Sequence, residues 1–581
     1  MQWKKIISRI IEIQGGYIMC GILGLISKTS QKLNNEDVIL MRDKMEHRGP
    51  DDAGLLMSRN DRVALAHRRL SILDLSAAGH QPMKSMNGNY ICFNGEIYNY
   101  MELLNEFLSD EKIKSKTDTE VLLKIMEKYG TDCLNELNGM WSFIYYDVKN
   151  EQLIISRDRF GVKPLYYYED DKIFIVSSEI KPILDSPYYE KKLNENSANI
   201  FLQTGLVDGI EDTFFEGIKR FPSSHYMIYS LKDNNRKLVR YYNLKESIYD
   251  VSDNYEENVK KFRELFIDSV RLRLRSDVPV GNCLSGGLDS SSIYSVVSNI
   301  SDGEVHSFSS KYEEEECDES YFYNSVITMY PGINHETIPS YDNFEEKLKK
   351  IMYYIEEPCK AYGIISMWNV IELAKPHVKV LLDGQGGDEV LAGYDFYLWY
   401  YILDLLDGGI EDYELSDELQ KIEDKKGYEF INSISTSLKS ITSNGIQKFN
   451  NSYVNEKLFE DLTTYMIPAF LRYEDKIGMA FSIEARFPFL DYRLVNFIFS
   501  LASTSKIKNG WSKAILRDAM KDILHEEVCW RKDKKGYPTP IKNILEANPS
   551  MKKYIPNNIP DDEWIKWRFI SFNVWRSVYN L

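Results

Sequence analysis

The run VPVGNCLSGGLDSSSIYSVVSNI (278–300) sets a short apolar strand, a Ser-Gly-Gly loop and a helix end to end. The helix carries an apolar face through Ile293, Val296, Val297 and Ile300, at helical spacing. Glycines let backbone N–H groups approach an anion closely, and a helix N-terminus adds a favourable dipole. Leu284, Ser285, Gly286, Gly287, Asp289 and Ser290 therefore make a candidate phosphate cradle. There is no lysine at the position that the GxxxxGK(S/T) phosphate loop requires, so this cradle is of another kind. Asp289 offers the carboxylate oxygen that Mg²⁺ prefers beside phosphate oxygens. A second acidic loop, DGQGGDE (383–389), follows the apolar VKVLL. Alone it reads equally as a turn; beside SGGLDSS it reads as the opposite wall, with Asp383 and Gly384 near the phosphates and Asp388 as a second metal-side carboxylate.

Working outward, the strands VPVGNCL, EVHSFSS and VKVLLDG are each followed by a loop and a helix from about Tyr255 onward. That alternation predicts an α/β parallel sheet with additional helices, whose ligands sit beyond the carboxyl ends of the strands. Upstream, residues 20–225 read differently. Short runs such as GILGLIS, NYICFNG, MWSFIYYD, QLIISRD and KIFIVSS alternate with turn signals, interrupted by helical stretches near Tyr100–Leu108 and Asp118–Tyr129. Packed sheets with helices, an α+β arrangement, follow from that pattern. Polar residues across 226–254 suggest a linker, and residues 1–19 an extension ahead of the first domain. The tryptophans of DDEWIKWRFISFNVWRSVYNL fall at helical spacing and read as packing onto the core.

At 581 residues, two domains are the natural expectation. A net charge of −17 argues against a general nucleic-acid or anionic-membrane surface, leaving room for a local basic pocket. The seven cysteines are scattered without a CxxC pair, which suggests a reducing compartment. The N-terminal isoleucine-rich patch is broken by Arg9 and Glu12 and makes a poor signal peptide, so a cytoplasmic location is expected.

Cys20 opens the strand CGILGLIS, and alone it reads as a small buried core residue. Together with HRGPDD (47–52), HRRLSILD (67–74), FNGEIYNY (93–100) and SKTDTEV (115–121), however, it resembles the N-terminal-nucleophile glutaminase domain of class II amidotransferases, an αββα-like sandwich, across residues 20–225. The resemblance implies that Cys20 attacks the glutamine side-chain amide, with its own α-amine as base; an amine pKa of about 7.7–8.0 suits that task. It further implies an oxyanion hole from Asn94 and the Gly95 N–H, a glutamine α-carboxylate on Arg69, and an α-ammonium on Glu96 and Asp118. Asn94 takes part in both substrate binding and catalysis. A peptide-bonded nitrogen cannot act as a base, so residues 1–19 must be absent from an active glutaminase. Initiation at Met19 followed by methionine removal is the simplest route, proteolysis a second, and a silenced glutaminase a third.

SGGLDSS is similar to the pyrophosphate loop of the ATP-pyrophosphatase superfamily, which implies Mg-ATP cleaved to AMP and pyrophosphate through an adenylate. LRYEDKIGMAFSIEARFPFLD (471–491), WSKAILRDAM (511–520) and WRKDKKGYPTP (530–540) extend the resemblance to glutamine-hydrolysing asparagine synthetases over most of 255–545. By that resemblance aspartate is the expected acceptor, Lys534 (with Lys535 as its rival) stabilises the reacting phosphorus, and Glu484 and Arg486 are substrate-side residues; their structural alternative is a buried ion pair. A homodimer is left open. One departure stands out. Asparagine synthetases often carry glutamate where this chain has Gln385, and glutamine cannot accept a proton as a carboxylate can. Glu474 and Glu389 are the candidate replacements, or the acceptor is a different carboxylate. The related β-lactam-forming synthetases have tyrosine there and no nucleophilic cysteine, which sets this chain nearer the amidotransferases. A silent paralogue, or a ligase using free ammonia, is the reading from another class.

Overall fold

In the computed structural model, residues 20–314, 316–443, 445–532, 536 and 538–581 are described. Twelve strands build the first domain: β1 (Gly21–Ser27), β2 (Asp52–Ser58), β3 (Val63–Arg69), β4 (Met83–Lys84), β5 (Tyr90–Ile97), β6 (Gly139–Asp147), β7 (Gln152–Arg157), β8 (Tyr166–Glu169), β9 (Ile173–Ser177), β10 (Ile218–Arg220), β11 (His225–Ser230) and β12 (Arg236–Arg240). They form two antiparallel sheets, ordered β10-β8-β9-β1-β3-β2 and β12-β11-β7-β6-β5-β4. Successive side chains of a strand point to opposite faces, and β1 shows what that does here. Ile22 and Ile26 meet Ile144 and Ile155 of the other sheet, while Leu23 and Leu25 face outward to a second apolar layer. Helix α1 (Asn35–Asp43) covers that outer layer through Val38 and Met41. Helix α2 (Asp118–Tyr129) covers the far face of the other sheet with Val121, Leu122 and Ile125. The layering is helix, sheet, sheet, helix, as expected.

The boundary differs from the expected linker. Residues 225–240 pair as β11 and β12 on the edge of the second sheet, so the connecting stretch narrows to about 241–254. The polarity that suggested a linker belongs to an exposed edge strand: Arg236, Lys237, Leu238 and Arg240 of β12 are all exposed.

Helix α3 (Tyr255–Arg273) opens the second domain, capped by the Asn254 side chain, which accepts from Glu256 N and Glu257 N. Its sheet contains β13 (Val280–Cys283), β14 (His306–Ser310), β15 (Ile333–Thr337), β16 (Val380–Leu382) and β17 (Glu484–Arg486), ordered β15-β14-β13-β16-β17 and parallel throughout. Strand order reverses between β13 and β16, so a crevice opens beyond their carboxyl ends, where such sheets bind ligands. SGGLDSS and DGQGGDE are the loops that leave those two strands. The C-terminal tryptophan helix spans Glu563–Tyr579, with Trp567 and Trp575 fully buried.

Candidate active sites

Cys20 sits just before β1 at the floor of a pocket of ≈ 400 Å³, which Arg69, Asn94, Gly95, Glu96 and Asp118 also line. The structure thus gathers every sequence-predicted residue of the first constellation into one place. β5 presents Asn94, Gly95 and Glu96 in succession, and its pairing with β6 makes glycine necessary at the centre: a Cβ on Gly95 would lie 2.1 Å from the Met140 carbonyl oxygen. Asn94 is fully buried, its amide nitrogen 3.4 Å from both Ser142 Oγ and Ser178 Oγ, long contacts that leave its donor capacity weakly engaged. Arg69, the last residue of β3, spends its guanidinium on the carbonyls of Ser76 (2.7 Å) and Asp74 (2.5 Å), which fixes the loop over the pocket. Asp118 is the first residue of α2, whose N-cap Thr117 accepts from Glu120 N. One Asp118 oxygen accepts from Ile97 N at 2.8 Å.

Electrostatics in this pocket are set mainly by burial. Desolvation pushes the Cys20 thiol up to about 12, partly opposed by the Leu70 N–H and by Arg69. At neutral pH the sulfur is therefore a thiol, which needs a base before it can attack. Desolvation, aided by Asp118, holds Glu96 well above the carboxylate range. Asp118 is pushed up to about 7 by burial, against the Ile97 N–H that favours its charged form. Both acids resist ionisation, Glu96 even with the Arg486 guanidinium 3.5 Å away.

Glu484 and Arg486 lie elsewhere than the sequence placed them. Both were expected on the acceptor side of the second domain, yet Glu484 lines the Cys20 pocket. Residues two apart on a strand share a face. β17 pairs through its backbone with β16, and that shared face turns toward the first domain. Arg486 Nε donates to Glu484 at 2.8 Å and its Nη2 lies 3.5 Å from Glu96, while Lys163 of the first domain pairs with Glu484 at 3.2 Å. Beside them Arg48, fully buried, bridges Glu179 (3.1 Å) of its own domain and Asp475 (2.9 Å) of the second. The ion-pair alternative is thus present as well, joining two domains rather than two helices.

The second site lies at helix α4 (Leu288–Ile300). No side chain caps α4, so its first-turn N–H groups are left for an anion. Ser285 and Ser290 brace the loop through their hydroxyls, 3.1 Å apart, and Gly287 N donates to Ser285 Oγ at 3.2 Å. Asp289 and Asp388 converge from the two loops onto one ammonium, that of Lys513, at 2.5 and 2.6 Å. Lys513 holds the left-handed conformation (φ 55°), a cost of order 1–3 kcal/mol that clusters at functional sites. A Cβ on Gly387 would fall 2.7 Å from the Asp289 carboxyl carbon, so the acidic loop can close on Asp289 only through glycine. Among the described residues no group of three or more His, Cys, Asp or Glu could hold a metal by itself. Two hard carboxylates facing a phosphate cradle nevertheless fit Mg²⁺, which takes its remaining oxygens from nucleotide and water.

The adjoining pocket, ≈ 440 Å³, is lined by Lys426, Lys513, Arg517, Arg531 and Lys532 together with Asp289. Sequence reasoning missed Lys513 and Arg517, although WSKAILRDAM holds both; their four-residue spacing spanning one helical turn was the available signal. Lys534 and Lys535 lie outside the described residues. Gln385 N donates to Asp383 at 2.9 Å. Glu474, buried and beside Asp383, has its carboxyl held well above the usual range by desolvation and by that neighbour's charge. Glu389 is pushed up to about 7 by burial and by Asp388, and accepts from Tyr394 at 2.7 Å.

Comparison with known proteins follows this division. The asparagine synthase family matches residues 261–564, and the glutamine amidotransferase domain matches residues 19–242. The glutamine-hydrolyzing asparagine synthetase 2 of Bacillus subtilis (strain 168) is 31% identical, over 88% of this chain and 71% of its own length. Asparagine synthetase 3 of the same organism is 29% identical over 90% and 87%. A protein named amidase chry2, from Gibberella zeae, is 26% identical over 92% and 91%.

Proposed function

The chain belongs to the asparagine synthase family, as an ATP-dependent, glutamine-hydrolysing ligase, and we propose that it amidates aspartate to asparagine through an aspartyl-adenylate. The observation that carries this reading is the convergence of Asp289 and Asp388 on Lys513 at the uncapped N-terminus of α4.

In the first site Cys20, freed at its α-amine, passes its thiol proton to that amine and attacks the glutamine amide. Glu96 and Asp118 ionise as the substrate ammonium arrives, and Arg69 turns donors from the Ser76 and Asp74 carbonyls to the α-carboxylate. Asn94 and the Gly95 N–H receive the developing oxyanion; each such donor is worth about 10²–10³ in rate. In the second site the α4 N–H groups, Lys513 and Lys534 hold the β- and γ-phosphates while the acceptor carboxylate attacks the α-phosphorus and pyrophosphate leaves. Mg²⁺, held by Asp289 and Asp388, would supply charge neutralisation on the phosphate oxygens. Ammonia then displaces AMP. With glutamine at position 385, Glu474, whose carboxyl is held well above the usual range by burial and by the neighbouring Asp383 charge and so has a raised proton affinity, is the first candidate to take the proton that the attacking amine loses. Glu389 is the second candidate.

A neighbouring reading is amidation of another carboxylate, favoured by Gln385 and by similarity to a protein named an amidase. Pyrophosphate release from Mg-ATP by protein beginning at Cys20, supplied with glutamine, separates them. Dependence on aspartate with asparagine formed is the expected result. Glutaminase activity without any aspartate effect refutes asparagine synthesis and sends the search to other carboxylates.

A further inference from the structure

The pyrophosphate pocket has a wall that none of its motifs accounts for. Helix α5 (Asp412–Lys426) ends at Gly427 (φ 88°), and its last residue, Lys426, lines the pocket. The helix is fastened to the segment that carries Lys513. Gly510 N donates to Glu418 at 2.8 Å, Lys425 Nζ stands 5.1 Å over the Trp511 ring, and Ile422 is wholly buried. Lys426 Nζ also donates to the Lys532 carbonyl at 3.4 Å, so the end of α5 meets the stretch of chain that leads to Lys534.

The partners of the pocket cations set Lys426 apart from Lys513, Arg531 and Arg517, while Lys532 Nζ donates to the Asp424 carbonyl at 3.5 Å. Lys513 faces carboxylates that belong to the site, and Arg531 pairs with Glu319 of the pocket wall at 2.8 Å. Arg517 donates to the carbonyls of Ser512 and Cys529. Lys426 instead pairs at 2.6 Å with Asp395, which does not line the pocket and whose side chain is 49% exposed, against 12% for the lysine. A half-solvated carboxylate holds an ammonium weakly. A polyphosphate entering a pocket already rich in cations offers that ammonium several charges in a drier setting.

Resting on the reading of this pocket as the pyrophosphate site, we propose that Lys426 is a phosphate ligand delivered by α5, held by Asp395 until nucleotide arrives and bound to the leaving pyrophosphate thereafter. Helix α5 is then part of the binding site rather than a peripheral addition. The competing account is that Lys426 only balances Asp395 and the α5 dipole.

Titration calorimetry of the full-length chain with inorganic pyrophosphate and Mg²⁺ decides between them. Lys426→Met, which keeps the stem and removes the charge, should weaken pyrophosphate binding about tenfold or more, the worth of one charge-assisted contact. Lys426→Arg should bind within about threefold of the parent chain, and Asp395→Asn should bind as tightly or more tightly. The unliganded unfolding midpoint reports whether each variant is folded. If Lys426→Met fails to fold, Asp395→Asn still tests the idea, because freeing the ammonium from its restraint must not weaken binding. Binding by Lys426→Met within twofold of the parent, or weakened binding by Asp395→Asn, overturns it. A parent chain that binds no pyrophosphate overturns the nucleotide-site reading itself, and this inference with it.

Discussion

Lowering the pH from 8 to 6 should weaken glutamine binding about tenfold, and the cause lies in Asp118. Burial raises its carboxyl from an ordinary 3.8 to about 7, and Glu96 beside it is held high as well. The substrate ammonium needs an ionised partner. With a pKa near 7, about nine-tenths of Asp118 carries its proton at pH 6 and about one-tenth at pH 8, so its deprotonation alone costs the ligand close to 1.4 kcal/mol per pH unit below 7. If Glu96 must also ionise, the slope steepens toward two protons. The same shift has a stability consequence of definite sign. A carboxyl whose native pKa is raised binds its proton more tightly in the folded state, so its contribution is complete below about pH 4. It is lost as pH rises through about 7, to an extent on the order of 4 kcal/mol. Glutamine should therefore raise the unfolding midpoint more at pH 8 than at pH 6. Calorimetry on protein beginning at position 20 with Cys20→Ala avoids hydrolysis, and buffers of different ionisation enthalpy count the protons. Release approaching one proton per glutamine at pH 6, fading by pH 8, is the expected signature. Affinity that changes less than twofold across that range, with no proton release, refutes the argument that these acids wait neutral for the ammonium.

Three further outcomes follow from the geometry. Asn94→Ala should lower glutaminase turnover about 10²–10³-fold while ammonia-supported pyrophosphate release persists, since its amide serves only the first site; equal loss of both activities would contradict this. Lys513→Met leaves Asp289 and Asp388 facing each other without their cation, so pyrophosphate release should collapse and stability fall by about 3–5 kcal/mol, read from denaturant unfolding. Added Mg²⁺ should recover part of that stability. Gly95→Ala drives a methyl into the Met140 carbonyl and should cost about 1–3 kcal/mol together with the glutaminase, measured by unfolding and glutamate production.

Local chemistry was legible in the sequence wherever it was written in consecutive residues. SGGLDSS and DGQGGDE announced their strands, loops and helix, and FNGEIYNY and SKTDTEV their pocket residues, because a motif's spacing and its backbone path are the same information. What escaped was pairing at a distance. Nothing in Arg236–Arg240 distinguishes an exposed edge strand from a polar linker, since its exposed residues are mostly basic in either case. Lys513 lies 224 residues from Asp289, with Lys426 between them in the chain, and only folding brings the three to one crevice. Lys513 stands inside WSKAILRDAM, yet its position at the crevice depends on a left-handed backbone angle that the local composition does not advertise.

Strand β17 shows why Glu484 and Arg486 were the hardest to assign. Its three residues serve two sites at once. The backbone extends the parallel sheet beside β16, and the Asp383 N–H donates to the Arg486 carbonyl at 3.0 Å, so the acidic loop that leaves β16 is tied at its start to this strand. The side chains leave in the other direction, Glu484 into the Cys20 pocket and Arg486 onto Glu96. A shift of this strand by one residue would exchange its faces, burying Ala485 where the charges now stand and emptying the glutamine pocket of its second-domain wall. The buried ion pair of Glu484 with Lys163 resists that shift, because breaking such a pair by displacing one partner costs about 3–5 kcal/mol. A reaction that makes ammonia in one domain and consumes it in the other needs the two sites held in fixed register. Here that register is carried by a three-residue strand whose backbone belongs to one site and whose two charges, Glu484 and Arg486, belong to the other.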